Sequence, residues 1–350
     1  MAASYDKAFW EKIARQPARH GLRCAFFQGK LAAQAAKRRS SRIASAARAG
    51  CPIHPVGELL LPPAFRYQGY SGPWVEDYFL CYWLRNRPDP GLVYLPVLWS
   101  NFYQHAQLHE YVPAQFGRIQ DAIRKLLDRE LDQDKRYFTL LAYDHALWDW
   151  HLFPRNVLVF SAGGWGDVPI PWLKGSPAFT CPPKDIPLSF VGRIDGASDA
   201  TGVRSKMYAA LKDNALFSQG KDWRRTMGRS TFSLCPRGLG RATFRLYESL
   251  SVGSIPVNIW DDIEWLPYRD RIDWREFSIS IHVDDIGSLP AMLREYSPQR
   301  IAAMQSRIAE LYEPYFSLDG TSRQIRRMVA DLAQGAEFET LIARRHASDD

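Results

Sequence analysis

Along the second half of the chain, short apolar runs alternate with stretches of helical period. "PLSFVGRI" (187–194), "STFSLCP" (230–236), "SIPVNIW" (254–260) and "EFSISI" (276–281) are too short for helices and predict strands. "GVRSKMYAALKDN" (202–214) and "GRATFRLYESLSVG" (240–253) lie between them and predict helices, and two more helical stretches follow the last strand. Strand–helix alternation predicts a parallel sheet covered by helices, with ligands at the strands' carboxyl ends and against helix N-termini. The first half is less regular. "RYFTLLAY" (136–143) and "NVLVFSA" (156–162) predict buried strands, the second running into the glycine loop "GGWG". "FGRIQDAIRKLLDRELDQDK" places Ile119, Ile123, Leu126 and Leu127 at helical spacing. "PWLKGSPAFTCPPKDIP" (171–187) has the composition of an interdomain linker.

The chain has 350 residues, enough for two domains. Twelve Trp, sixteen Tyr and eighteen Phe suit large cores, and equally a cleft that stacks on rings. The formal charge is +7, yet residues 1–50 carry +9 and the rest −2. A basic, Ala-rich N-terminal arm can lie on anionic lipid or bind a polyanion; a solvated tail has the same composition. Five scattered cysteines include no CxxC pair, which points away from zinc or a disulfide framework and toward a reducing, cytoplasmic setting. No apolar run reaches the roughly 18 residues of a membrane span, and the N-terminus lacks a signal-peptide core.

The chemistry concentrates in "CPRGLGRATFRLYESLSVGSIPVNIW", Cys235 to Trp260. Gly238 and Gly240 allow a tight turn after the strand, and the helix is expected to begin near Gly240 or Arg241. Its unpaired N–H groups and dipole make an anion site, to which Thr243 adds a hydroxyl. Arg241, Arg245 and Glu248 then fall on one stripe. Two arginines at i, i+4 repel by a few tenths of a kcal/mol unless an anion such as a diphosphate lies between them. Glu248, about 10 Å further along the axis, suits ribose hydroxyls. An ordinary Arg245–Glu248 surface pair fits the same spacing. The stretch lacks a third glycine and any lysine, so it is neither a dinucleotide fingerprint nor a P-loop.

These residues resemble the C-terminal half of exostosin-type glycosyltransferases, family 47. The resemblance rests on Pro236-Arg237-Gly238, Thr243-Phe-Arg245-Leu-Tyr-Glu248, Pro256-Val257, Asp261/Asp262 and Leu266-Pro267. Gly192, Arg193 and Arg204 match an upstream strand and helix of the family, and Asp144 matches an aspartate further upstream. It implies a GT-B fold, two Rossmann-like domains facing across a cleft. The implied reaction is inverting and metal-independent transfer from a nucleotide diphosphate sugar, with UDP as the expected nucleotide and no cofactor. The acceptor would be a saccharide or glycolipid. Arg193, Arg204, Arg237, Gly238, Arg241, Thr243, Arg245 and Glu248 would hold the donor. Arg245 would act in catalysis with Asp144 or His145 as general base. The expected organisation is a basic arm (1–50), an acceptor-side domain (51–180), a nucleotide-sugar domain (185–320) and a helical tail (321–350). The family's best-known members are anchored in the Golgi membrane. This chain shows no such anchor, so a cytoplasmic enzyme, peripheral at the inner membrane face through residues 1–50, is expected. A non-catalytic protein that binds anionic membrane or nucleic acid through the arm is the alternative.

Two metal-like patterns carry less. Asp132-Gln-Asp134 sits in a charge run that precedes a strand and reads as a solvated helix end. His105 and His109 are spaced i, i+4 without an evident third ligand.

Overall fold

A computed structural model describes residues 42–55, 75–86, 91–100, 123–142 and 153–347, apart from 174, 176, 195–198, 200, 221, 239 and 336. The chain forms two compact units. One comprises the described residues up to Ser161, Gly166–Val168 and those from Ile325 onward; the other comprises Ala162–Trp165 and Pro169–Gln324.

The first unit is built on β1 (Val93–Tyr94), β2 (Tyr137–Leu141), β3 (Val157–Ser161) and β4 (Val168–Pro169), in that order, with β1 to β3 parallel. Every residue of β2 and β3 is buried, which is why both read as unbroken apolar runs instead of alternating ones. The aromatic-rich stretch before them is core. The helix Val75–Asn86 sets Trp83 5.1 Å from Phe138 and Phe79 5.2 Å from Tyr94, centroid to centroid. Residues 123–130 are helical and bury Ile123 and Leu127, as their spacing predicts. From the C-terminal helix Glu337–Ala347, Arg345 is fully buried and donates to the Val157 carbonyl at 2.7 Å.

Glu76, in the first turn of the helix Val75–Asn86, is also fully buried. Its carboxylate accepts from the Ser100 N–H (3.0 Å), the Ser100 hydroxyl (2.9 Å) and the Ala142 N–H (2.7 Å). Ala142 follows β2 directly and Ser100 comes after β1. One carboxylate therefore gathers the carboxyl ends of two neighbouring strands. Burial raises its pKa to about 8 despite these donors, and Asp77 adds to the rise.

The second unit is a five-stranded parallel sheet: β5 (Ile186–Val191), β6 (Leu216–Ser218), β7 (Ser230–Pro236), β8 (Ile255–Trp260) and β9 (Ile279–His282), in the order β6-β5-β7-β8-β9. Helices Val203–Leu211, Trp223–Arg229 and Phe244–Ser251 connect successive strands, and Leu289–Arg294 and Pro298–Leu311 follow β9. The expected alternation is present, and β7 coincides with "STFSLCP". β6 and the short helix after it have too few residues to show a period and were not expected.

The proline-rich run departs from its expected role as a linker. Thr180 donates to the Ser251 carbonyl at 3.0 Å, Tyr312 bonds the Pro177 carbonyl at 2.7 Å, and Cys181 packs on Gly253. Its backbone finds partners on the second unit, so its prolines stiffen a packed segment.

Candidate functional site

The helix after β7 begins at Phe244, not near Gly240 or Arg241. Thr243 is its N-cap, in extended conformation, and its hydroxyl oxygen accepts from the Arg245 N–H at 3.4 Å. Arg241 instead sends its main-chain N–H to the Gly163 carbonyl at 3.0 Å, outside any helical ladder. The expected stripe is thereby split. Arg245 and Glu248 share the helix, and Arg241 belongs to the turn before it.

Arg237 lies inward at 6% side-chain exposure. Its guanidinium donates to the Gly240 carbonyl at 3.0 Å, to Asp261 at 2.5 Å and to Asp262 at 2.8 Å. It closes the turn onto the loop that follows β8. Arg241, 15% exposed, donates to Asp262 at 2.8 Å and to the Gly164 carbonyl at 3.1 Å, and its guanidinium carbon lies 4.1 Å from the Trp165 ring centroid. Burial alone would raise the Asp262 carboxyl, but bonds from Arg241, the Ile263 N–H and Arg237 hold it below the ordinary carboxylate range.

On the other side of the turn, Arg204 reaches in from the helix Val203–Leu211. Its Nε donates to the Arg237 carbonyl at 3.1 Å and its Nη1 to the Arg193 carbonyl at 2.9 Å. A Cβ on Gly238 would stand 3.1 Å from Arg204 Nη2, so this glycine makes room for the guanidinium. Among the described residues the Arg204 guanidinium hydrogen-bonds carbonyls, while its main-chain N–H donates to Asp199 Oδ1 at 2.7 Å. Burial, and then the charge of Arg245, lower its pKa to about 10, against the pull of Asp199. Arg245 donates to the Val191 carbonyl and pairs with Glu248, the two side chains being 19% and 12% exposed. The pair anticipated as the surface alternative is present, but it is largely buried.

The array thus runs across the carboxyl ends of β5, β7 and β8, where a parallel sheet binds ligands. Arg193 lies at its edge with an exposed side chain, and its carbonyl serves as an acceptor. Asp144 and His145 lie outside the described residues, as do His105 and His109. Asp132 and Asp134 form an exposed turn in which Asp132 pairs with Lys135 at 3.1 Å and accepts from the Asp134 N–H at 3.0 Å, as read from the charge run. A groove of about 580 Å³ lined by Glu264, Arg269, Asp273, Trp274 and Arg275 shares no residue with the array; there Arg269 pairs with Glu264, and Arg275 with Asp273.

Residues 178–296, which contain every arginine of the array, match the model of the Exostosin GT47 domain. The chain carries an exostosin-like GT47 segment. A probable glucuronosyltransferase of Oryza sativa subsp. japonica is 34% identical over 120 residues, 33% of this chain and 28% of that protein. A probable β-1,4-xylosyltransferase of Arabidopsis thaliana is 34% identical over 119 residues, again 33% and 28%. Each match thus spans little more than a quarter of the relative's own length. Among solved structures, Anabaena HepE in complex with UDP-glucose has a TM-score of 0.38 at 10% identity, covering 69% of this chain and 79% of that one. The pneumococcal O-GlcNAc transferase GtfA in complex with UDP and GlcNAc has a TM-score of 0.36 at 12% identity, covering 57% and 46%.

Sequence reasoning found the arginines of the exostosin-like segment but missed their partners. The Gly163–Trp165 loop showed only as a glycine loop. Asp261 and Asp262 entered through the resemblance, without their role as counter-charges.

Proposed function

We propose that this chain is a glycosyltransferase of GT-B type whose second unit holds the diphosphate of a nucleotide diphosphate sugar, UDP-linked, and passes the sugar to a saccharide or glycolipid acceptor. One observation carries the reading: the partly buried Arg204 guanidinium hydrogen-bonds carbonyls alone and lies close enough to Arg245 for that charge to lower its pKa to about 10, with Asp199 opposing the shift only in part. Desolvated cations that repel each other are stable only when an anion completes the site, and guanidinium groups bind phosphate oxygens bidentately. The capped N-terminus of the helix Phe244–Ser251 adds its dipole at the same edge. The same charges serve the chemistry. As the glycosidic bond to the diphosphate breaks, negative charge grows on the leaving oxygen, and fixed cations lower that barrier without a metal. The reading keeps Glu248 for the ribose and Asp144 or His145 as the base that takes the acceptor's proton in an inverting displacement. It also keeps the basic arm as a peripheral membrane contact of a cytoplasmic enzyme. The names of the rice and Arabidopsis relatives support a transferase of this kind. A purely membrane- or nucleic-acid-binding role is not favoured, because it leaves the buried arginines without a task.

Isothermal titration with UDP and GDP tests the reading. The wild type should bind one of them, and Arg204→Met or Arg245→Met should weaken that binding about 100-fold or more, near 2.7 kcal/mol. Indifference of the wild type to both nucleotides, or variants that bind as it does, would overturn the assignment.

A further inference from the structure

The helix that carries Arg245 leads, at its far end, to a lysine that the site itself does not use. Phe244–Ser251 closes in a Schellman turn: Gly253, at φ +62°, donates to the Leu250 carbonyl at 3.1 Å, and Ser254 to the Ser249 carbonyl at 3.0 Å. The carbonyls that follow find partners elsewhere. Ser251 accepts from the Thr180 N–H at 3.0 Å, Gly253 from Gln305 at 3.3 Å, and Val252 from the Lys184 ammonium at 2.8 Å. The same ammonium donates at 2.7 Å to the Gly228 carbonyl, in the last turn of the helix Trp223–Arg229. The next residue, Asp185, sends its main-chain N–H to the Arg229 carbonyl at 3.0 Å. Lys184 thus bonds the carbonyl ends of two helices at once.

That position is a costly one for a cation. Burial lowers the Lys184 pKa to about 8, with Cys181 opposing the shift. The partial negative charge at helix C-termini favours an ammonium, and here two such ends converge on it. An apolar side chain would fill much the same space without the desolvation, but it would leave both carbonyls without this donor.

The two helices share the support of Arg245. Met227, Val252 and Val191 form an apolar cluster, with Trp223 packed against it. Arg245 rests on that cluster: its Nε donates to the Val191 carbonyl, and its guanidinium carbon lies 5.9 Å from the Trp223 ring centroid. Lys184 bridges Val252, a member of the cluster, and Gly228, the neighbour of another member. It does so one helix length, about 12 Å, from the capped end that faces the site.

We infer that Lys184, by tying the carbonyl ends of the helices Trp223–Arg229 and Phe244–Ser251 together, sets the seat of Arg245 and is a positioning residue for the diphosphate that this arginine binds. The inference rests on the donor reading above and deepens it.

Titrations of the full chain with UDP test it. Lys184→Met should weaken UDP about tenfold, whereas Lys184→Arg, which keeps the charge and the donors, should stay within threefold. Gln305→Met removes a bond from the same helix end without touching the second helix, and should stay within twofold. A double-mutant cycle decides whether the effect runs through Arg245. In an Arg245→Met background Lys184→Met should cost less than twofold, because no arginine remains to be seated. An equal tenfold loss in both backgrounds would assign Lys184 to the fold at large and overturn the inference. So would no loss for Lys184→Met, or a loss as large for Lys184→Arg or Gln305→Met. Thermal melts check that the variants fold. If Lys184→Met does not, Lys184→Gln, which keeps an N–H donor without the charge, should weaken UDP about threefold, and wild-type affinity there overturns the inference. Failure of the wild type to bind UDP overturns the uridine donor and this inference together; the other adverse results leave the donor reading standing.

Discussion

The carboxyl edges of the two parallel sheets are tied by opposite chemistries. In the first unit a single buried carboxyl group, that of Glu76, draws two N–H groups and a hydroxyl toward itself. In the second, arginines push outward into carbonyls and carboxylates from three strand ends. The difference teaches where each edge stands once folded. The first is closed upon itself, both carboxyl oxygens engaged by backbone and hydroxyl donors. The second sets like charges side by side, the Arg204 guanidinium resting on two carbonyls with Arg245 near enough to lower its pKa and Asp199 acting in the opposite sense.

Breaking the first edge should cost most. Glu76→Ala strands the Ser100 and Ala142 donors in the core, each unsatisfied group costing roughly 1–3 kcal/mol, and we expect a loss of about 4 kcal/mol. Hydrogen exchange in Tyr137–Leu141 is the local readout, and unchanged protection there would refute the clamp. Breaking the second edge at Arg237→Met should cost about 3 kcal/mol, because Asp261 loses its arginine partner and Asp262 one of two, and the Gly240 carbonyl loses its donor. Urea unfolding measures it, and an unchanged midpoint would demote Arg237 from keystone to bystander. The smallest effect sharpens the contrast through pH. Glu76 has its folded pKa raised from 4.5 to about 8, so its contribution is fully present below pH 4.5 and is lost as pH rises through 8. Between pH 6 and 8 we expect about 2 kcal/mol of stability to disappear, and Glu76→Gln should flatten that slope. A wild-type stability that rises across this window would contradict the assignment.

Legibility in the sequence followed the range of the interactions. β7 was readable to the residue because a fully buried parallel strand announces itself locally as an apolar run between turn residues. The helix start was missed by three or four residues. "GRAT" carries helix-compatible residues throughout, and the decision lies with Thr243 accepting from Arg245 and with Arg241 being drawn to Gly163, 78 positions earlier. Arg237 illustrates the same limit. Its spacing from Arg241 and Arg245 suggested shared work on an anion, whereas Asp261 and Asp262, some 24 residues downstream, claim its guanidinium. Glu76 gave no signal at all, since a lone glutamate in a first helical turn is the commonest of surface residues.

The glycine at position 164 has a practical corollary for anyone wishing to alter this turn. Its backbone lies where no β-carbon fits beneath Arg241, so diversity introduced there would unseat the arginine. The neighbouring indole is the adjustable part: exchanging it for other flat rings varies what the guanidinium packs on, while the glycine beside it still leaves room for the arginine.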